Sequence, residues 1–105
     1  GSYKVWFILY YLPSTNTHIV DKAKGSMVIK ANGDVSGSVN SDFFDEIIEI
    51  RGSVESSNEW DLYIRNTKIG EMDGYIRTAG TGKGELYLND FCEFSGEWMA
   101  VKNNS

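Results

Sequence analysis

Residues Gly25 to Val39 read GSMVIKANGDVSGSV, and the architecture of the chain is decided there. Met27, Val28 and Ile29 precede an Asn32-Gly33 pair, and Val35 and Val39 follow it. Asn-Gly between two apolar runs is the strongest short hairpin signal, because the tight turn it makes needs positive φ at both central residues. The stretch therefore predicts two short strands that start at glycines and turn at Asn32-Gly33. A Gly-x-apolar triplet opens it at Gly25-Ser-Met27 and recurs at Gly33, Gly37, Gly52, Gly70, Gly74, Gly84 and Gly96. Eight of the ten glycines after Gly1 fit this pattern, where independent placement would give roughly four. Recurrence of this kind describes architecture rather than activity.

Working outward, the first strand is predicted over Tyr3 to Leu12, with Val5, Phe7, Leu9 and Tyr11 on one face. Trp6, Ile8, Tyr10 and Leu12 make the other face apolar too, which demands cover from a second copy, a tail or a partner. Pro13 to Asn16 is turn material. His18 to Lys24 reads as a ragged strand before the hairpin, and Asn40 to Asp45, NSDFFD, as a loop. Glu46 to Glu55 alternates, with Ile48, Ile50, Gly52 and Val54 facing one way. After a turn at Ser56-Ser57-Asn58, Trp60, Leu62 and Ile64 define another half-buried strand. Lys68 to Thr78 predicts a long strand bent at Gly70 and Gly74, since isolated strand glycines mark bulges and barrel corners. Thr78 to Lys83 reads as the loosest loop, Gly84 to Asn89 as a short strand, and Cys92 to Lys102 as the last strand. Residues 103–105 read as a polar tail and Gly1-Ser2 as a cloning remnant.

Eight or nine strands with short links fit a single domain of 105 residues. The fold class expected is all-β, a small antiparallel up-and-down meander barrel of about eight strands over residues 3–102. Closure would pair Tyr3–Leu12 with Cys92–Lys102 and remove the sheet edges. With one cysteine, no disulfide can form within the chain, so packing alone must hold it, and a reducing compartment such as the cytoplasm is mildly favoured. The net charge of −5 and the scattered basic residues argue against nucleic acid as a partner. Val5 to Leu12 is far shorter than the roughly 20 apolar residues that span a bilayer, so no membrane role is expected.

Gly25-Ser-Met-Val-Ile29 followed by Gly33-Asp-Val-Ser-Gly-Ser-Val39 resembles the opening hairpin of avidin-like barrels. A late tryptophan, Trp98 in Gly96-Glu-Trp-Met, adds to the likeness. The chain thus looks like the calycin group, the lipocalin-like and avidin-like meander barrels. The resemblance covers the front third and one late strand, and it implies the fold and a ligand at the barrel mouth. The lipocalin Gly-x-Trp signature is absent from the first strand, where Trp6 follows Val5, so no ligand identity carries over.

Chemistry-bearing residues are sparse. His18 and Cys92 are each unique, but a thiol nucleophile needs an adjacent base and a lowered pKa, and Cys92 lies between Phe91 and Phe94, where cysteine is usually an inert small hydrophobe. One His and one Cys cannot supply a four-ligand metal site, and no motif implies a cofactor. Gly80 to Gly84 lacks the Ser/Thr and the following helix of a P-loop, and reads as a hairpin tip whose Thr81 and Lys83 could contact a ligand. Asp42, Asp45 and Glu46 are the closest carboxylate cluster and the only opening for hydrolase chemistry.

Asp42-Phe43-Phe44-Asp45 stands out. Its phenylalanines either plug the barrel end or form an aromatic anchor ringed by charge, the make-up of an interface hot spot. Trp60 and Trp98 are core residues or a stacking site for a bound ring. The leading expectation is a non-enzymatic binding protein that occupies a protein partner, in the manner of an inhibitor or immunity-type module, through Phe43, Phe44 and the outer set Trp6, Ile8 and Tyr10. A carrier of a small apolar or aromatic ligand is the alternative, using Trp60, Trp98, Thr81 and Lys83, and a carboxylate-dependent hydrolase is the second. A homodimer through the first strand would cover its second apolar face. The protein binder requires a filled interior and an uncovered apolar patch of a few hundred Å2, the carrier an open cavity of roughly 300 Å3 or more.

Overall fold

A computed structural model describes residues 1–11, 18–54, 59–88 and 94–103 of the chain. Period-two alternation resolves into eight strands: β1 (Ser2–Tyr11), β2 (Ile19–Ile29), β3 (Asp34–Ser41), β4 (Glu46–Ser53), β5 (Glu59–Ile64), β6 (Thr67–Ile76), β7 (Thr81–Leu88) and β8 (Phe94–Lys102). Each pairs antiparallel with the next, and β8 returns to β1 with a register running from Tyr3↔Lys102 to Tyr11↔Phe94. The result is a closed meander barrel, which leaves no strand edge to be capped.

The inward face of β1 is the set expected, Val5, Phe7 and Leu9, all fully buried. They meet Ala23 and Met27 from β2, Ile48 and Ile50 from β4, Leu62 from β5, Met72 from β6, Leu86 from β7 and Trp98 from β8 in one continuous core. The Gly-x-apolar recurrence has a physical origin within the strands, where Gly25 and Met27, Gly37 and Val39, Gly84 and Leu86, and Gly96 and Trp98 share the inward face. At Gly84 the neighbouring strand passes so close that a Cβ would overlap the carbonyl oxygen of Asp73 and stand 2.5 Å from the indole nitrogen of Trp98. Room for the large indole is made by leaving side chains out of β6 and β7. The hairpin turns at Asn32-Gly33 as expected but not as a two-residue loop: Gly33 alone takes positive φ, +92°, Gly33 N–H donates to Lys30 O at 2.9 Å, and Lys30 N–H donates to Asp34 O, which makes Ala31 to Gly33 a three-residue loop closed by the glycine.

Four expectations need correction. The hairpin does not begin at Gly25: β2 runs unbroken from Ile19 to Ile29, so the ragged His18–Lys24 segment and the glycine belong to one strand. Its alternation was masked because the inward position next to Ala23 is an acid, Asp21, which is buried. Val54 is not inward; β4 ends at Ser53, and Val54 is 41% exposed while its N–H donates to the Gly33 carbonyl. Thr78–Lys83 is not a loose loop. Arg77 to Gly80 make a tight turn, closed by Gly80 N–H to Arg77 O at 2.9 Å and Arg77 N–H to Thr81 O at 2.7 Å, and β7 starts at Thr81. Of its glycines, Gly80 belongs to the turn, at φ +90°, and Gly82 lies in β7 against the Trp98 ring. Finally, the strand expected over Lys68 to Thr78 is β6, Thr67–Ile76, while its irregularities do fall at the two glycines: β5 and β6 slip register between Leu62 and Tyr63, a bulge at Ile69–Gly70, and Gly74 takes φ +139°. Leu12 to Asn16, Ser56 to Asn58, and Cys92 with its expected place in the last strand lie outside the described residues.

Candidate functional site

Two outward-facing features carry more apolar surface than the fold needs. The first is at the barrel end that holds the β3–β4 turn. Asp42 to Asp45 form this turn, with Asp45 at φ +52°. Ser41, buried at the end of β3, donates its hydroxyl to Asp21 Oδ2 on β2 at 2.5 Å and accepts the Phe44 N–H at 3.2 Å. That pair ties the turn to the barrel wall. Phe44 then packs over the core edge-on to Phe94, ring centroids 5.3 Å apart. Phe43 stands edge-on to both, 5.0 Å from Phe44 and 5.4 Å from Phe94, yet is 51% exposed. Of the two options for this motif, Phe44 takes the plug and Phe43 the anchor. An acidic depression of about 500 Å3, lined by Asp42, Asp45, Glu46 and Ile47, opens beside it. Glu46 forms an ion pair with Arg65 across the rim.

The second feature is the outer face of β1 and β8. Trp6, Ile8 and Tyr10 point outward and are half-buried, and beside them Met99 and Val101 of β8 are 46% and 45% exposed. Trp6, Ile8, Met99 and Val101, with the Lys22 stem, line a shallow groove of about 440 Å3.

The remaining candidates are dispersed. Trp60 and Trp98 are 2% and 1% exposed with rings 5.4 Å apart, packed in the core rather than around an open mouth. Thr81 and Lys83 lie on the outer face of β7, where Lys83 and the Trp98 ring line one outward depression of about 460 Å3, with Gly74 and Gly84 leaving the wall bare between them; Thr81 and Trp60 do not line it. His18 is exposed just before β2. Sequence reasoning did not find Phe94, Ser41 and Asp21, which shape the aromatic end, or Met99 and Val101, which widen the outer face. Only the pairing of β1 with β8, and of Asp21 with Ser41 across β3, brings them in; the outward alternation of Met99 and Val101 in GEWMAVK was the one signal available.

Charge is distributed unevenly around the wall. Glu59, Asp61, Glu71, Asp73 and Glu85 share the outer face of β5 to β7. Glu59 is pushed above the ordinary carboxylate range, first by its hydrogen bond with Glu71 and then by that neighbour's charge, and Glu71 is lowered by the same hydrogen bond. Lys68 bridges Asp61 at 3.2 Å and Glu71 at 3.4 Å, and its ammonium is held above its usual range chiefly by the bond to Asp61. This is a solvated acidic wall. Among the described residues no group of three His, Cys, Asp or Glu side chains is placed to hold a metal ion.

Compared with protein families, with characterised proteins and with solved structures, the chain matches none.

Proposed function

We propose that this protein is a non-enzymatic binding module that acts by occupying a protein partner, with the aromatic end as its contact. The observation that carries the reading is Phe43. At this end Phe44 packs onto the core beside buried Phe94. Phe43 adds exposed ring area held in place by two edge-on neighbours. A braced, exposed aromatic loses little conformational freedom on binding, which is what a hot-spot anchor needs. Asp42 and Asp45 beside it, on a chain of net charge −5, favour a partner whose pocket is apolar with a basic rim. The packed interior, with Trp60 and Trp98 buried against each other, supports this reading over a carrier. One observation favours the carrier: among the described residues the indole N–H of Trp60 has no acceptor, and a ligand carbonyl would provide one.

Native mass spectrometry of protein purified gently from its own host tests both. The expected result is a stoichiometric protein partner that is lost on Phe43→Ala, with affinity down by about 30-fold, as for a hot spot of about 2 kcal/mol. Tyr75→Ala, exposed elsewhere on the wall, should retain it. A partner indifferent to Phe43→Ala would remove the aromatic end from consideration. A co-purifying small molecule lost on Trp60→Phe would replace this reading with the carrier.

A further inference from the structure

The outer face of β1 carries a charge pattern that the aromatic end does not explain. Three strands make this face, with β2 on one side of β1 and β8 on the other. In the row through Ile8, the β2 neighbour is Lys22 and the β8 neighbour is Glu97. In the row through Trp6, the neighbours are Lys24 and Met99. The apolar ridge Trp6–Ile8 therefore has lysines along one flank, and Glu97 with apolar Met99 and Val101 along the other. Opposite charges on opposite sides of one row are the signature of a surface complementary to itself.

We propose that this face binds a second copy of the chain, about a two-fold axis that runs parallel to β1 within the contact plane. Such an axis exchanges the flanks. Trp6 and Ile8 of each copy then meet their own counterparts, Lys22 of each copy faces Glu97 of the other, and the Lys24 stem covers Met99. The contact satisfies both apolar faces of β1, one against the barrel core and one against the partner copy. An anionic lipid surface would be complementary to lysines on both flanks, whereas here Glu97, and Glu85 one strand beyond it, occupy one side. From Lys4 to Tyr10 the ridge is about 20 Å long, and three strands span about 15 Å. That footprint is smaller than the roughly 800 Å2 per partner of a standard interface, so association is concentration-dependent. Phe43 takes no part in the contact, so the dimer stands or falls separately from the reading above.

Sedimentation velocity across the micromolar range tests it, with the variants Lys22→Glu and Glu97→Lys checked for folding by circular dichroism. Wild-type protein should shift from one copy to two as concentration rises, less so in high salt. Each variant alone places like charges opposite each other twice and should associate at least about tenfold more weakly. An equimolar mixture of the two restores both opposite-charge contacts in the heterodimer and should regain dimer, which no effect within a single chain can produce. Wild type that stays monomeric, variants that dimerise like wild type, or a mixture that stays monomeric would each overturn the proposal. So would monomeric wild type that co-sediments with phosphatidylserine vesicles, which would assign the face to lipid. Should either charge variant fail to fold, Met99→Lys, which sets a lysine against Lys24 of the other copy, decides: a folded monomer supports the contact and an unchanged dimer overturns it.

Discussion

Trp60 and Trp98 lie in the barrel core with ring centroids 5.4 Å apart, and their indole N–H groups meet opposite fates. Trp98 donates to the main-chain carbonyl of Asp73 at 2.6 Å, whereas the Trp60 N–H is buried without an acceptor among the described residues. A buried donor left unpaired costs about 1–3 kcal/mol, and a made bond contributes about 1 kcal/mol net. Replacing each by phenylalanine should therefore diverge. Trp98→Phe loses the bond as well as ring volume and should destabilise by about 2–4 kcal/mol. Trp60→Phe removes the orphan donor, which offsets the lost volume, and should stay within about 1 kcal/mol of wild type. Urea unfolding of the two variants gives the comparison, and equal losses would contradict it.

The same indole depends on a missing side chain. A Cβ at Gly84 would overlap the Asp73 carbonyl oxygen and press on the Trp98 nitrogen, so it attacks both ends of one hydrogen bond. Gly84→Ala should cost about 3 kcal/mol or more, because main chain on the facing strand cannot move aside as a flexible side chain would. The measurement is the shift in denaturation midpoint, with Trp fluorescence reporting whether the indole has been displaced. A variant as stable as wild type would mean that β6 and β7 are not held as close as Gly74↔Gly84 pairing places them.

These two residues also show how far the sequence could be read. Trp98 and Gly84 were both legible as inward positions, because alternation in a strand is local and a closed barrel follows from eight strands with short links. What the indole touches was not legible, since Asp73 is remote in sequence and only register brings its carbonyl over Gly84. Asp21 shows the same limit at the candidate site. A charged residue followed by Lys22 reads as surface, and nothing local says that Ser41, twenty residues on, hydrogen-bonds it in a buried position. Phe43 and Phe44 looked equivalent in DFFD; the turn at Asp45 and the ring of Phe94 made one a plug and the other an anchor.

Ser41 links stability to the candidate contact. Its hydroxyl donates to Asp21 and accepts from the Phe44 main chain, so Ser41→Ala removes one bond from a buried carboxylate and one from a half-buried amide. Loss of about 2–4 kcal/mol is expected, more than for a surface serine, because each group that loses a bond carries its own desolvation cost. Hydrogen exchange should show faster loss of protection at the Phe44 amide than at the β7–β8 amides. If the partner contact rests on a braced Phe43, the variant should also weaken it at temperatures where the barrel is still folded. Full retention of Phe44 protection would show that the aromatic rings alone hold the turn.

Glu59 and Glu71 offer a test with a defined pH sign. The Glu59 carboxyl is raised from 4.5 by the hydrogen bond and charge of Glu71, with Asp61 adding to the effect and Lys68 opposing it. A group whose folded pKa is raised holds its proton more tightly when folded, so its stabilising contribution is present at low pH and is lost as pH rises through the folded value. Glu71, lowered by the same bond, works in the reverse sense, and its contribution is lost as pH falls through its own value. At neutral pH the pair is two repelling carboxylates. Glu59→Gln keeps a donor toward Glu71 at every pH and removes that repulsion. The variant should be more stable than wild type near pH 7, with the gain shrinking in acid as the raised Glu59 carboxyl of the wild type takes up its proton. Both side chains meet solvent, so the effect is small and fades in high salt. Urea midpoints measured near pH 7 and in acid decide it: a gain that persists unchanged in acid would show that the two carboxyl groups do not share a proton.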